Sequence, residues 1–319
     1  SGGGRTMHDT LYTTRQIAPG MWQITDALDD RAYLLVGERA AVLVDTCIGY
    51  GDLRAVVCEL TDLPITILLT HFHYDHVGGA YFFGGGAHDG TEPSQVAEFA
   101  RTEEPARADA TQTTPVFIAA DDDGRWDFEL ARAQRVYDQV VDQGVFDRGV
   151  PFGSRDGVFP DVRHVEEGAV FDLGGLTVEA VALPGHTAGS MGYLVRERRV
   201  LLSGDAVTPI MCLCFEGHLG IDEYRATLAK MAELPFDTFY TGHHDVAFLR
   251  EDLPSFDACA EYAQSHRGVA WRHMQLPEYM GTAYLPPCKT IDADSPDFRA
   301  LIGPYVPRPR KRRRSPTLS

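Results

Sequence analysis

The sequence predicts a layered α/β protein, and three observations indicate that fold class. Short apolar segments typical of β-strands recur along the chain, separated by polar residues and glycine. Groups of these segments are followed by amphipathic helices, and this strand-then-helix order occurs twice. Metal-capable side chains come directly after several apolar segments, as is usual in open layered sheets. With 44% hydrophobic and 24% charged residues, the 319-residue chain has the composition of an ordinary globular protein.

The first half of the chain is predicted to contain four strands and a helix. Three strands at meander spacing are expected at residues 21–24, 33–36 and 41–44. A helix near residues 52–60 follows, for which Asp52 is a suitable N-cap. The next strand, at 65–69, is apolar on both faces and is therefore expected to be buried.

The segment from about residue 90 to 165 departs from this pattern and is predicted to be an insertion. It contains an acidic run, Asp121 to Asp123, which we expect to be a solvated loop. Its one convincing helix, at 128–141, places apolar side chains at helical spacing. We expect the insertion to form either a lid over a site or an oligomer contact.

The second half repeats the order of strands followed by helices. Strands are predicted at 169–171, 176–183, 191–195, 200–203 and 236–240, and helices at 221–234 and 255–266. The last helix is expected to close the folded part. We expect one domain over residues 13–303, a flexible N-terminus or cloning remnant at 1–12, and a disordered basic tail at 304–319.

The charge of the chain limits its partners. The net charge is -17, although six cationic residues lie between Arg308 and Arg314. A body this acidic repels polyanions, so we expect neither nucleic acid nor an anionic membrane as a partner. No apolar run approaches the length of a membrane span. The six cysteines form no Cys-x-x-Cys pair, and a reducing cytoplasm is the expected compartment.

A dense cluster of metal-capable side chains follows the strand at 65–69. It comprises His71, His73, Asp75 and His76, within six residues. Crowding three imidazoles and a carboxylate at a strand end is unfavourable unless a divalent metal binds them.

Three further candidates stand at the ends of later strands: His186, Asp205 and His243, each preceded by glycine. Five imidazoles and two carboxylates exceed the needs of one metal, so we predict two metals that share a bridging carboxylate and water. The predicted first site is His71, His73 and His186; the second is Asp75, His76 and His243; and Asp205 bridges them. His88 and His244 are expected to have structural or supporting roles.

The stretch His71-Phe72-His73-Tyr74-Asp75-His76 resembles the His-x-His-x-Asp-His signature of the metallo-β-lactamase superfamily. The later motifs of that family match at His186, Asp205 and His243, so the resemblance runs over roughly residues 21–245. It implies a four-layer αββα sandwich, here with a helical insertion, and a dinuclear site at one edge of the two sheets.

Residues at three individual positions indicate which branch of the superfamily this chain resembles most. Lactamases proper carry cysteine or no ligand where Asp205 stands, and the carboxylate is more similar to glyoxalase II, the lactonases and related esterases. Flavodiiron proteins carry glutamate at the position of His73. Quorum-quenching lactonases place a catalytic tyrosine where this chain has Thr208. The glyoxalase II-like branch is therefore favoured.

The resemblance implies a hydrolase that uses hydroxide from a dinuclear site against a small ester, thioester, lactone or amide. Asp75 and Asp205 are the expected catalytic carboxylates, and no separate general acid is visible. Two zinc ions per chain are favoured, and iron or manganese stay open because the ligands are nitrogen and oxygen. The expected partner is a small-molecule substrate. Two alternatives stay open: a mononuclear-iron enzyme similar to persulfide dioxygenases, and a nuclease or phosphodiesterase.

Two features close to these motifs are expected to be structural. Asp45 lies in a turn after the strand at 41–44 and is expected to support the site. Cys212 and Cys214 follow Asp205, and we expect them to pack rather than to bind a third metal.

Overall fold

The computed structural model describes residues 11–84, 114–288, 290 and 292–304. Its strands are β1 Tyr12–Ala18, β2 Met21–Asp26, β3 Arg31–Val36, β4 Ala41–Val44, β5 Ile65–Leu68, β6 Pro115–Ile118, β7 Asp161–His164, β8 Val170–Asp172, β9 Thr177–Ala182, β10 Met191–Val195, β11 Val200–Gly204, β12 Ile210–Cys212, β13 Thr238–Thr241, β14 Phe248–Leu249, β15 Val269–Arg272, β16 Met280–Tyr284 and β17 Ala300–Pro304. Its helices are α1 Leu53–Leu60, α2 Tyr74–Val77, α3 Trp126–Asp142, α4 Gly153–Asp156, α5 Ile221–Glu233 and α6 Leu253–Ser265.

The first sheet has seven strands in the order β1-β2-β3-β4-β5-β6-β7. Strands β2 to β4 form the antiparallel meander that the sequence predicts, β1 extends it at the edge and was not predicted, and β5, β6 and β7 add to it in parallel. The last two strands and α3 come from the predicted insertion, so in this part of the segment β6 and β7 belong to the sheet and α3 packs against it. Residues 85–113 lie outside the described part, and the lid or oligomer role stays a prediction.

The second sheet has six strands in the order β14-β13-β11-β10-β9-β8. Strand β11 pairs in parallel with β13, while β9 and β10 pair antiparallel with their neighbours. The carboxyl ends of β9, β11 and β13 therefore meet at one edge of this sheet. The backbone N–H of Met191 donates to the carbonyl of Thr70 at 2.7 Å, which joins this edge to the end of β5 in the first sheet.

Successive side chains of the buried strands point alternately to the two faces of each sheet, and this alternation produces the four layers. In β4, Leu43 packs in the cluster that contains α1 and α3, whereas Val42 and Val44 pack between the two sheets. In β11, Leu201 packs with α5 and α6, whereas Leu202 faces the first sheet. Because successive side chains of a strand point to opposite faces, strands that are apolar throughout are covered on both sides. The predicted αββα sandwich is confirmed.

The helices lie close to their predicted positions. The side chain of Asp52 accepts a hydrogen bond from the N–H of Ala55 at 3.1 Å, as predicted for an N-cap. The ends of α3, α5 and α6 differ from the predicted ends by no more than two residues, which is within the usual uncertainty of helix ends. In the described residues, no helix is long and apolar enough to cross a membrane.

The expectation that the helix at 255–266 closes the folded part is wrong. A third sheet follows, with strand order β12-β17-β16-β15, and it extends to Pro304. Its strands are short, and β16 and β17 contain glycine, so the strand signal in their sequence is weak. The segment between β15 and β16 lies against the cleft described below.

Candidate metal centre

The structure brings the seven predicted site residues together at one edge of the sandwich. His71, His73, Asp75 and His76 follow β5, while His186, Asp205 and His243 follow β9, β11 and β13. Three groups have ligand atoms within 4.8 Å of one another: His71, His73, His186; His71, His76, Asp205; and Asp75, His76, His243. None of these groups includes His244, Cys212 or Cys214, and His88 lies outside the described residues.

Three imidazole nitrogens converge in the first group. Nδ1 of His73 lies 3.0 Å from Nε2 of His71 and 2.9 Å from Nε2 of His186. The other nitrogen of each ring faces an oxygen: Thr70 Oγ1 at 3.0 Å for His71, the Glu216 carbonyl at 3.4 Å for His73, and the Cys212 carbonyl at 2.7 Å for His186.

These outer contacts fix the tautomers of the rings. A carbonyl only accepts, so the outer nitrogens of His73 and His186 carry the proton. Thr70 Oγ1 donates to Asp45 at 2.8 Å and therefore accepts from His71. The three inner nitrogens are thus lone pairs that face one another. Burial also lowers the pKa of all three histidines, which disfavours protonation of the cluster. A cation between the lone pairs removes the repulsion, so the donor set fits a metal ion.

The second group also has unpaired ligand atoms. His76 donates through Nδ1 to Asp45 at 2.8 Å, which leaves its Nε2 facing Asp205 Oδ1 at 3.6 Å. That distance is beyond a hydrogen bond, and both atoms are buried without a hydrogen-bond partner. His243 Nε2 lies 3.0 Å from Asp205 Oδ2 and 3.6 Å from Asp75 Oδ2. Buried polar atoms that lack partners are uncommon, and a bound cation would satisfy them.

The carboxylate of Asp205 lies between the two groups. Its Oδ2 is 3.0 Å from His243 Nε2 and 3.8 Å from His186 Nε2. Burial opposes its ionisation, yet the neighbouring His243 and His76 hold its pKa well below the usual range. Burial likewise opposes the charge on His76, and Asp205 and Asp45 outweigh it to raise the pKa of that ring. The anion is therefore the stable form of Asp205, as a metal ligand requires.

Glycine allows the strand ends to approach this closely. A Cβ on Gly242 would lie 2.5 Å from Asp205 Oδ1 and 2.6 Å from His76 Cε1. Gly204 has a φ of +50°, and a Cβ there would lie 2.4 Å from Thr70 Oγ1. Larger residues at these positions would displace the groups that the site brings together.

Asp45 has the supporting role that the sequence indicates. It accepts hydrogen bonds from the N–H of Thr70 at 2.7 Å, from the Thr70 hydroxyl and from His76 Nδ1. Asp30, which sequence reasoning missed, supports His243 in the same way, with Oδ1 3.3 Å from Nδ1. Burial raises the pKa of Asp30 to about 6. An aspartate in a loop, here directly after Asp29, gives no signal in sequence that it contacts a distant histidine.

The acidic run is not wholly a solvated loop, and the expectation is wrong for Asp122. This carboxylate is 1% exposed and accepts from Gly189 N at 2.8 Å, Thr187 Oγ1 at 2.7 Å and Phe72 N at 3.2 Å. It therefore ties the loop that carries His71 and His73 to the loop that carries His186. Burial raises its pKa to about 6.

A buried ion pair on α3 supports the start of α2, the short helix that carries Asp75 and His76. Glu129 accepts from the N–H of Tyr74 at 3.0 Å and pairs with Arg132 at 2.8 Å. The guanidinium is 2% exposed and lies 4.5 Å from the centre of the Tyr279 ring. Burial raises the pKa of Glu129 to about 7 despite its cationic partner. Polar residues spaced three apart in an amphipathic helix do not reveal in sequence that they are buried.

The metal-capable residues open into a cleft of about 550 Å³. Its lining includes Phe215, Trp271, His273, Leu276 and Arg132, together with three exposed carboxylates, Asp29, Asp245 and Asp294. A larger surface groove, of about 750 Å³, lies between α5 and α6 and contains none of the seven predicted site residues. The smaller cleft is therefore the place where a reaction would occur.

Comparison with known proteins identifies the family. The sequence model described as Metallo-beta-lactamase superfamily matches residues 28–243. Lactamase-like protein vrtG of Penicillium aethiopicum is 28% identical over 92% of this chain and 74% of its own length. Acyl-coenzyme A thioesterase MBLAC2 of Bos taurus is 24% identical over 70% of this chain and 76% of its own. Hydroxyacylglutathione hydrolase of Ruegeria pomeroyi is 35% identical, over 25% of this chain and 31% of its own.

Solved structures agree on the fold. A metallo-beta-lactamase family protein from Thermus thermophilus aligns with a TM-score of 0.50 and 22% identity, over 76% of this chain and 80% of that one. The sec-alkylsulfatase Pisa1 from Pseudomonas sp. aligns with a TM-score of 0.54 and 15% identity, over 79% and 42%. At these identities the likeness concerns the fold alone. The family match includes all seven predicted site positions, and the chain therefore belongs to the metallo-beta-lactamase superfamily and is a metal-dependent hydrolase.

Proposed function

We propose that this protein hydrolyses a small thioester or ester with the help of two divalent metal ions, for which zinc is the favoured identity. His71, His73 and His186 would hold one ion, and Asp75, His76 and His243 the other, with Asp205 between them. The observation that carries the proposal is the convergence of three lone-pair nitrogens, with His73 Nδ1 within 3.0 Å of the other two, next to a second group whose buried ligand atoms lack partners.

The chemistry would divide between the ions and the chain. When bound, such ions supply Lewis-acid polarisation of the scissile carbonyl and hydroxide at neutral pH. Asp75 is half-buried at the cleft, and its carboxylate would orient the attacking water. Asp45 and Asp30 would keep His76 and His243 in the tautomers that leave Nε2 free for a ligand role. The aromatic residues that line the cleft, Phe215 and Trp271, would exclude bulk water from the reacting group.

Three observations favour a thioester or ester over the other substrates. Relatives that align over part or most of the chain are named as a thioesterase and as hydroxyacylglutathione hydrolase. Asp205 stands where the sequence resemblance places a cysteine in lactamases proper. Acidic residues at the mouth, Asp29, Asp245 and Asp294, disfavour a polyanionic phosphodiester. The six cysteines are free, in keeping with the proposed cytoplasmic location.

The proposal is tested by metal content and a substrate panel. Protein purified without added metal should contain about two zinc per chain and should cleave thioesters or esters faster than β-lactams or phosphodiesters. The His71→Ala and Asp205→Ala variants should lose metal and turnover while staying folded. His266→Ala is the matched control, because this exposed histidine stacks on Tyr262 in α6. Full metal content and turnover in the first two variants would refute the site, and one iron per chain would favour the persulfide dioxygenase alternative.

A further inference from the structure

His273 is a cleft residue that the proposed reaction does not yet use. It lies in the loop between β15 and β16, which the third sheet places against the site. Its ring is near Phe215, with centroids 5.6 Å apart, and near Trp271, at 5.7 Å. Phe215 in turn contacts the ring of His73, with centroids 5.7 Å apart. His273 therefore stands one aromatic side chain away from the predicted metal ligands.

The backbone fixes the tautomer of His273. Its Nδ1 is hydrogen-bonded by the N–H of Leu276 at 3.0 Å and by the N–H of Gln275 at 3.2 Å. A backbone N–H can only donate, so Nδ1 must be the unprotonated acceptor. The neutral ring consequently carries its proton on Nε2. The loop itself is held by His273 N, which donates to the Tyr279 carbonyl at 3.0 Å, and by the buried Leu276.

The Nε2–H of this ring is available to a ligand. Among residues 11–84 and the described part of 114–304, no side chain or carbonyl accepts a hydrogen bond from it. If Nε2 were buried, it would be one of the buried polar atoms without a hydrogen-bond partner, and it is not. Water or a ligand can therefore reach it. Burial lowers the pKa of His273, and a neutral ring with a single free donor is the form present near neutral pH.

We propose that His273 is a substrate-binding residue, whose Nε2–H donates a hydrogen bond to an oxygen on the acyl part of the substrate. This inference rests on the proposed thioester or ester hydrolysis. The rings of Phe215 and Trp271 both contact the ring that carries the donor, so the acyl group has an apolar body that carries a hydroxyl or carbonyl oxygen. Because Phe215 separates His273 from His73, that oxygen lies away from the scissile bond.

An asparagine variant separates this role from the structural role of the ring. In His273→Asn, Oδ1 is two bonds from Cβ, as Nδ1 is in histidine, and can still accept from the N–H groups of Gln275 and Leu276. The variant has no donor at the position of Nε2. His273→Ala removes both functions, and His266→Asn, outside the cleft, is the matched control.

The experiment compares two N-acetylcysteamine thioesters of equal chain length, one with a hydroxyl on the acyl chain and one without. For the hydroxylated substrate, His273→Asn should raise KM about tenfold and change kcat less than threefold, as the loss of one neutral hydrogen bond predicts. For the plain substrate, the wild type and the variant should agree within about twofold. Equal effects on both substrates, or no effect on either, would overturn the assignment.

A binding measurement keeps this test separate from the proposed function. Calorimetry on the metal-loaded protein with the free hydroxy acid should give about tenfold weaker binding for His273→Asn than for the wild type or His266→Asn. A wild type that binds the acid but cleaves no thioester or ester would refute the proposed function while supporting the role of His273. Equal affinity of the wild type and His273→Asn, or no binding to either, would refute the role of His273.

Discussion

Asp122→Asn should change how the stability of this protein depends on pH. The carboxylate is almost fully buried, and burial raises its pKa from 3.8 to about 6. In the unfolded chain the pKa returns to its ordinary value, so the folded state binds the proton more tightly. A raised pKa in the folded state contributes stability at low pH, and this contribution is lost as the pH rises through about 6. Asparagine does not titrate and lacks this contribution.

The size of the effect follows from the shift. A difference of about two pKa units corresponds to about 3 kcal/mol in the free energy of unfolding. About 2 kcal/mol of it falls between about pH 4.5 and 7.5, because the ordinary pKa lies just below that window. The asparagine NH₂ also leaves the N–H of Phe72 without an acceptor, which costs about 1–3 kcal/mol at every pH.

Urea unfolding of both proteins at several pH values from about 4.5 to 7.5 measures the difference. The free energy of unfolding of the wild type, relative to Asp122→Asn, should fall by about 2 kcal/mol as the pH rises. Other titrating groups are common to both proteins and cancel. Asp123→Asn is an informative control: burial opposes ionisation of Asp123, but its hydrogen bond from His164 lowers its pKa. The contribution of Asp123 is therefore lost only as the pH falls below its ordinary pKa, and the difference between the wild type and Asp123→Asn should stay nearly constant over this pH range. If the difference in unfolding free energy between the wild type and Asp122→Asn did not vary with pH, the reasoning would be refuted.

Three further predictions concern the site and its support. Gly242→Ala should stay folded but lose metal and at least about a hundredfold of activity, because its Cβ would collide with Asp205 and His76; Gly149→Ala, whose Cβ meets nothing within 4 Å, should match the wild type. Glu129→Gln should lower the free energy of unfolding by about 3–5 kcal/mol by leaving Arg132 buried without its closest carboxylate, and adding Arg132→Met should recover most of it. Chelation should abolish hydrolysis and lower Tm, with both restored by zinc, because metal binding stabilises the folded state; an unchanged Tm would contradict this.

The sequence by itself determined the layered fold and the residues of the candidate centre. Strands β4 and β10 were predictable because apolar residues on both faces of a strand require cover on both sides. The α1 helix was predictable because its signals, an N-cap and apolar spacing, are local. His71 to His76 form a local motif, and His186, Asp205 and His243 each follow a strand that is visible in the sequence.

Only the tertiary structure decided what surrounds and orients these residues. Asp30, Asp122 and Glu129 reach the site from elements that are distant in sequence, and whether a carboxylate is solvated or buried depends on the packing of those elements. The tautomers of the histidines depend on the atoms that face their outer nitrogens. The third sheet, which brings His273 to the cleft, is built from short strands whose pairing, and not their composition, makes them strands. These properties arise from contacts between distant segments, for which a single sequence carries no local signal.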